Sequence, residues 1–225
     1  MNPLNPSEEL PRRHPPGTNG TAQSLARDTG RVPVGEVIEA STTEVLAQAV
    51  ELDGAPPFGA FVQVATDDGL DVFGVVAHVE TGGIDPGARA IMRGHDDVRD
   101  DRIYLENPDL PLVLRTTFRA IVVGFASGGQ VYQFLPPRPP RLHYSVFICS
   151  SSTVHAFTSS GLDYLGALLG APSVPVDELV AANLRLVAVQ RGDAEHFLQA
   201  GGRELAQRLR ADYARLTAIL RRCVL

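Results

Sequence analysis

"VGEVIEASTTEVLAQAVELDGAPPFGAFVQV", Val34 to Val64, decides how the rest of the chain reads. Its β-branched-rich runs alternate with a period of two, so it reads as strand, strand, a Pro-Pro bend, then strand. Working outward, "FGAFVQVAT" passes through Asp-Asp-Gly into "DVFGVVAHVET", and "FRAIVVGFA" from Phe118 supplies a fifth run. Five short strands punctuated by turn residues predict a small closed barrel rather than an open sheet. Gly35, Gly59, Gly74 and Gly124 fall inside these runs, where a small barrel needs bulges or sharp coiling, and they are assigned a barrel-shaping role.

The flanks have other textures. Residues 1–31 are rich in Pro, Gly, Asn, Ser and Thr without an apolar period, and read as a disordered tail. Between the fourth and fifth strands, "TGGIDPGARAIMRGHDDVRDDRIYLENPDLPLVLRTT" is too long for a hairpin turn; it predicts an excursion with a short helix packed on the barrel flank. "LPPRPPR", Leu135 to Arg141, predicts a stiff spacer, which sets the barrel at 32–135, a Pro-rich linker at 136–141 and a mainly helical part at 142–225. In that last part "LHYSVFICSS" and "VHAFT" read as a strand pair, "LDYLGALLG" as a helix ended by Gly170 and Pro172, and "VDELVAANLRLVAVQRG" as a helix stopped by Gly192. A third helix is predicted from an Asp193 N-cap onward, with Gly201-Gly202 marking a kink or a close backbone approach. The fold class is therefore α+β, a small closed barrel followed by helices with a short strand pair.

Composition removes several chemistries. All 20 basic residues are Arg; with no lysine, the chain cannot form a P-loop, a Schiff base or a Lys-containing nuclease site. Residues 32–135 hold 6 Arg against 16 acids, a net of −10 that repels a phosphate backbone and argues against nucleic-acid binding through the barrel. No apolar run reaches the roughly 18–20 residues of a membrane span, and there is no signal layout. Cys149 and Cys223, the only cysteines, fit a reducing cytoplasm and leave both a free and a paired state open. Nothing calls for a cofactor.

Three constellations remain. "GHDDVRDD" gathers His95, Asp96, Asp97, Asp100 and Asp101, oxygen-rich ligands that a hard cation would accept, with His95 as base or ligand; interleaved arginines offer the alternative of a solvated surface segment. Ser150, Ser151 and Ser152 follow a strand without a GxSxG frame. Leu205, Leu209, Leu216 and Leu220 share one helical face, with Arg208, Arg215 and Arg222 repeating at seven beside it; this is either core or a partner-facing stripe. No catalytic residue is assigned.

The strand runs of residues 33–126, with their Pro-rich bend and internal glycines, resemble the HAS-barrel, the small β-barrel shared by HerA-type DNA translocases and the crown of rotary ATP synthases. The resemblance implies a module that rings a hexameric ATPase and, in HerA, docks a nuclease. Here only about ninety residues follow position 135, with no Walker lysine, so it implies a stand-alone barrel without the motor. The resulting expectation is a non-catalytic accessory protein docking on a ring ATPase or its nuclease partner in DNA processing, with self-association as a further contact. The competing expectation is a metal-assisted hydrolase built on residues 95–101.

Overall fold

The computed structural model describes residues 31–85 and 89–223; the tail expected over 1–31 lies, Arg31 apart, outside them. Strands β1 (Gly35–Ala40), β2 (Glu44–Ala49), β3 (Phe61–Ala65) and β4 (Leu70–Gly83) come first. Two short helices follow, α1 (Asp101–Glu106) and α2 (Leu110–Val113), then β5 (Leu114–Ser127), β6 (Gln130–Tyr132) and β7 (Ser145–Ile148). The chain ends with α3 (Ser151–Ser159), α4 (Tyr164–Leu169), α5 (Val176–Arg191), α6 (Ala194–Arg208) and α7 (Tyr213–Cys223).

Six strands close an antiparallel barrel in the order β1-β7-β3-β4-β5-β2, with β2 returning to β1 and β6 added to the end of β5. The five predicted strands are all present. The sixth stave, β7, comes from beyond the Pro-rich segment: Val146 lies opposite Gly35 on one side and Val64 on the other. The sheet therefore crosses the boundary expected at residues 136–141, where Pro136 and Pro140 are buried and Arg138 pairs with Asp68. Once three bend residues are anchored to a barrel wall, a proline-rich stretch acts as a fixed strap leading into the next strand.

Alternation along each strand divides two cores. Val62, Val72, Val76, Phe118, Ala120, Val122 and Val146 fill the barrel. Their neighbours Phe61, Phe73, Val75, Ile121 and Val123 point outward and are covered by the helices. The join is aromatic: Phe157 of α3 meets Phe61 and Phe73 at centroid distances of 5.3 and 5.0 Å, and Tyr164 of α4 meets Phe61 at 5.4 Å. Tilted pairs of this kind add about 0.5–1.5 kcal/mol each beyond the area they bury. Helix α5 lies in the middle of the helical layer and is buried on most of its circumference, from Leu179 to Leu184 and again at Val187 and Ala188.

Three predicted elements differ. "VHAFT" is not a strand: Ser150, whose hydroxyl accepts from the Thr153 amide at 3.2 Å, caps helix α3 and buries Val154 and Phe157 on one face. The last helix is two, because the chain turns at Leu209–Asp212 and Asp212 restarts it by accepting from the Arg215 amide at 3.0 Å. Asp193 holds the N-cap position of α6 as expected, but its side chain makes no capping bond, since its carboxylate binds Arg191 Nε and Nη2 at 2.8 and 2.9 Å. At Gly201 the helix runs on without interruption; a Cβ there would stand 3.0 Å from Leu184, so the glycine serves the close approach of α6 to α5. Among the described residues no helix is long and apolar enough to cross a membrane.

Candidate functional site

The barrel itself offers no room for a ligand. Its internal void is about 10 Å³, walled by Val45, Val62, Val122 and their neighbours, too small and too apolar to hold more than about one water. Among the described residues, roomier openings lie outside the barrel.

The most distinctive outside feature is an arm. The β3–β4 ladder ends at Phe61 opposite Val75, with Gly59 and Ala60 still bonded to Val76, and the β2–β5 ladder ends at Gln48 opposite Thr117. Strands β4 and β5 continue beyond, pairing with each other from Glu80–Thr117 to Gly83–Leu114. The ribbon is tied at its root by the Thr81 and Thr116 hydroxyls, 2.7 Å apart, and by a bond from Thr116 to the Leu52 carbonyl. Ile84 extends the ladder by donating to the Val113 carbonyl at 3.0 Å. The expected excursion helix is thus displaced from the barrel flank to the end of the ribbon. Helices α1 and α2 form there, and no residue of α1 is buried.

What the tip does with its apolar residues is unusual. Between Ile84 and Val113, Leu110 is the one buried hydrophobic among the described residues, whereas Ile91, Met92, Leu105 and Leu112 are 78, 92, 80 and 76% exposed. The segment is nonetheless cross-linked: Arg93 donates to Asn107 Oδ1 at 3.0 Å and pairs with Asp109 at 3.1 Å, and Asn107 Nδ2 donates to the Ile103 carbonyl at 2.8 Å. Ile84, Ile91, Ile103, Tyr104, Leu110 and Leu112 line an open trough of about 500 Å³. Single exposed apolar side chains are ordinary on a folded surface; here Ile91 and Leu112 line the trough, whereas Met92 and Leu105 stand outside its lining.

The acidic cluster sits on the same tip. His95 and Val98 close a turn with amide-to-carbonyl bonds of 3.2 and 2.7 Å, and Arg102 donates to the Asp97 carbonyl at 3.2 Å. His95, Asp96, Asp97, Asp100 and Asp101 are all exposed, and among the described residues no three His, Cys, Asp or Glu side chains converge to hold a metal ion. The three serines are absorbed by the cap of α3, where Ser150 Oγ lies 2.9 Å from both Ser152 and Thr153 hydroxyls.

The leucine stripe lies in the helical core. Leu205 and Leu216 are buried, and Leu209 and Leu220 pack against the same cluster. The arginines beside it hold the chain's own carboxylates: Arg208 binds Glu204 and Asp163 at 2.6 and 3.1 Å, Arg215 binds Asp177 at 2.7 Å, and Arg222 binds Glu178 at 2.6 Å. Of the four glycines, Gly35 and Gly124 sit where a Cβ would stand 2.8 Å from the Gln48 carbonyl and 2.3 Å from the Tyr132 carbonyl. Gly74 adjoins the β4–β5 register shift, and Gly59 has φ +88° against the backbone of Ala182 and Asn183. Both thiols are free and buried, and burial pushes Cys149 up to about 12 against the opposing pull of Arg31.

Reading the sequence for charge singled out residues 95–101 and missed the apolar content of the segment around them. The signal was available: Ile91, Met92, Leu105 and Leu112 stand among proline and glycine breaks that leave elements too short to bury them. A comparison with protein-family models and with curated proteins finds no significant match to this chain.

Proposed function

We propose that this protein is a non-catalytic adaptor that works by docking, with the β4–β5 arm as its principal contact. The observation carrying this reading is the arm tip, an internally cross-linked segment whose large apolar residues lie around an open trough instead of in a core. A closed barrel with a filled interior is a rigid mount for such an arm.

In its finer form the reading takes the barrel as HAS-like and the partner as a ring ATPase of the HerA type, or the nuclease that works with it, in cytoplasmic DNA processing. The strand and glycine pattern of residues 33–126 supports it, together with the closed barrel those strands form once β7 joins them. The motor is then supplied in trans, since a chain without lysine cannot complete a Walker site. The −10 charge of residues 32–135 fits a protein-facing role better than a DNA-facing one. The test is affinity capture of the tagged full chain from its own lysate with crosslinking and mass spectrometry. A P-loop ATPase or a nuclease crosslinked to residues 34–126, and lost on Leu112→Asp, is expected. Elution of the chain alone, with crosslinks only within itself, sinks the adaptor reading.

A further inference from the structure

We infer that the trough at the arm tip binds a free fatty acid, with the alkyl chain along the apolar wall and the carboxylate beside Arg89. This goes beyond the docking reading and does not rest on it; ligand and partner would compete for the same walls.

The alkyl chain is set by what the wall lacks. Ile84 and Leu114 reach the trough from the ribbon end, Ile91 from the loop, Ile103 from α1, and Leu110 and Leu112 from α2. The one neutral polar side chain on the lining is the Tyr104 phenol, and at the ribbon end the Ile84 amide is already spent on the Val113 carbonyl at 3.0 Å. A sugar, a nucleoside or an extended peptide would lay hydroxyls or amides against this surface, and each one buried without a partner costs about fivefold or more in affinity. A hydrocarbon chain brings none. At about 500 Å³ the trough falls within the roughly 300–1,000 Å³ of small-ligand clefts. With a methylene taking roughly the 30 Å³ of a water molecule, that space suits a chain of about 12–16 carbons.

The head group is set by the charges on the lining, which are Asp85, Arg89 and Arg93. Arg93 is held by Asp109 at 3.1 Å and by Asn107 at 3.0 Å, and Asp85 makes an interaction of its own. Arg89 is exposed and has no ion-pair partner among the described residues. The uncompensated charge on the wall is therefore positive, and a guanidinium takes a carboxylate through two parallel hydrogen bonds.

The other acids of the tip bear on the source of the ligand. Asp96, Asp97, Asp100, Asp101 and Glu106 lie outside the lining, and residues 84–113 carry 7 acids against 4 arginines, a net of −3. An anionic bilayer surface meets that exposed segment as a whole and is repelled by it. A single carboxylate seated against Arg89 is governed by its contact, with more distant charges screened over about 8–10 Å. The ligand is thus a monomeric fatty acid rather than a membrane.

The test is isothermal titration calorimetry of the full chain with monomeric dodecanoate, kept below its micelle concentration, against dodecyltrimethylammonium, which shares the chain and reverses the charge. Dodecanoate should bind one to one and at least about tenfold tighter than the ammonium. A fully buried methylene adds about fourfold, so octanoate, four methylenes shorter, should bind at least about tenfold more weakly than dodecanoate. Arg89→Gln should bring the two head groups to within about threefold of each other. Leu112→Asp should abolish binding with circular dichroism unchanged, whereas Val189→Asp, the same kind of change at a residue 80% exposed on α5, should leave it as it was. Equal binding of both head groups, binding indifferent to Arg89→Gln or to Leu112→Asp, absence of binding, or binding to phosphatidylglycerol vesicles without binding of monomeric dodecanoate overturns the inference. Dodecanoate bound as expected with no partner captured keeps the ligand site and removes the docking reading; a partner captured through the tip with dodecanoate unbound does the reverse.

Discussion

Gly59 and Gly69 share a backbone conformation, φ +88° and +80°, yet only one of them is crowded. A Cβ at Gly69 meets nothing within 4 Å, whereas at Gly59 it would stand 2.8–2.9 Å from Ala182 and 2.9 Å from the Asn183 amide. Gly69→Ala should therefore cost only the left-handed strain, about 1 kcal/mol, and Gly59→Ala that strain plus about 1–3 kcal/mol of overpacking, read from urea midpoints. Equal losses would mean that α5 gives way freely at this contact. The same spot holds a buried polar relay: Tyr164 donates to Asn183 Oδ1 at 2.9 Å, and Asn183 Nδ2 donates to the Gly59 carbonyl at 3.0 Å, stitching α4 and α5 to the barrel. Asn183→Ala orphans both outer groups and should cost about 3 kcal/mol, more than Tyr164→Phe, with a coupled double-mutant cycle; additive effects would show that the relay is not a unit. At the surface, Arg191 hydrogen-bonds the Asp193 carboxyl and holds it down at about 2, from the ordinary 3.8. A lowered folded-state value stabilises the protein above the unfolded one and loses that effect as pH falls from 3.8 toward 2. Stability of the native chain should thus drop more steeply than that of Asp193→Asn across this window; superimposable curves would remove the pair from the account.

Elements were legible where one period ruled and illegible where a cap or a distant partner decided. Helix α5 shows the first case: its apolar spacing and Gly192 stop, now seen with φ +76°, are local facts. Helix α3 shows the second. "VHAFT" has the β-branched and aromatic content of a strand, and the Ser150 cap together with the Phe61–Phe73 surface overrides it. Strand β7 is four residues long and both its partners are remote in sequence, so nothing local could place it in the barrel. The candidate site was half legible, as charge on residues 95–101 but not as the apolar trough beside it. The α6–α7 stripe separates two kinds of contribution at this scale. Leu216→Ala removes a buried side chain and should cost about 2–5 kcal/mol, while Arg215→Ala breaks a half-exposed ion pair and should cost about 0–1 kcal/mol, vanishing in high salt. The reverse order, with soluble folded Leu216→Ala, would restore the stripe as a partner-facing surface.

At the scale of the whole molecule, the barrel and helices depend on each other and neither depends on the arm tip. Stopping the chain at Arg141 removes β7, which leaves β1 and β3 without their shared neighbour, and uncovers the outward row of Phe61, Phe73, Val75, Ile121 and Val123. Exposed strand edges beside an apolar wall favour association over folding. Residues 1–141 should therefore give no cooperative melt and should aggregate. Replacing residues 85–112 by a two-residue Asn-Gly turn has the opposite expectation. Among the described residues it removes one buried hydrophobic, Leu110, and it keeps the ribbon pairing from Glu80 to Gly83, so the thermal midpoint should move by no more than about 2–4 °C. The same chain should lose all capture of an ATPase or nuclease. A fragment 1–141 that melts cooperatively as a monomer would show the barrel to be independent of β7. A tip-less chain that unfolds would show the exposed residues of the arm to be part of the core after all, and would leave the docking reading without its mount.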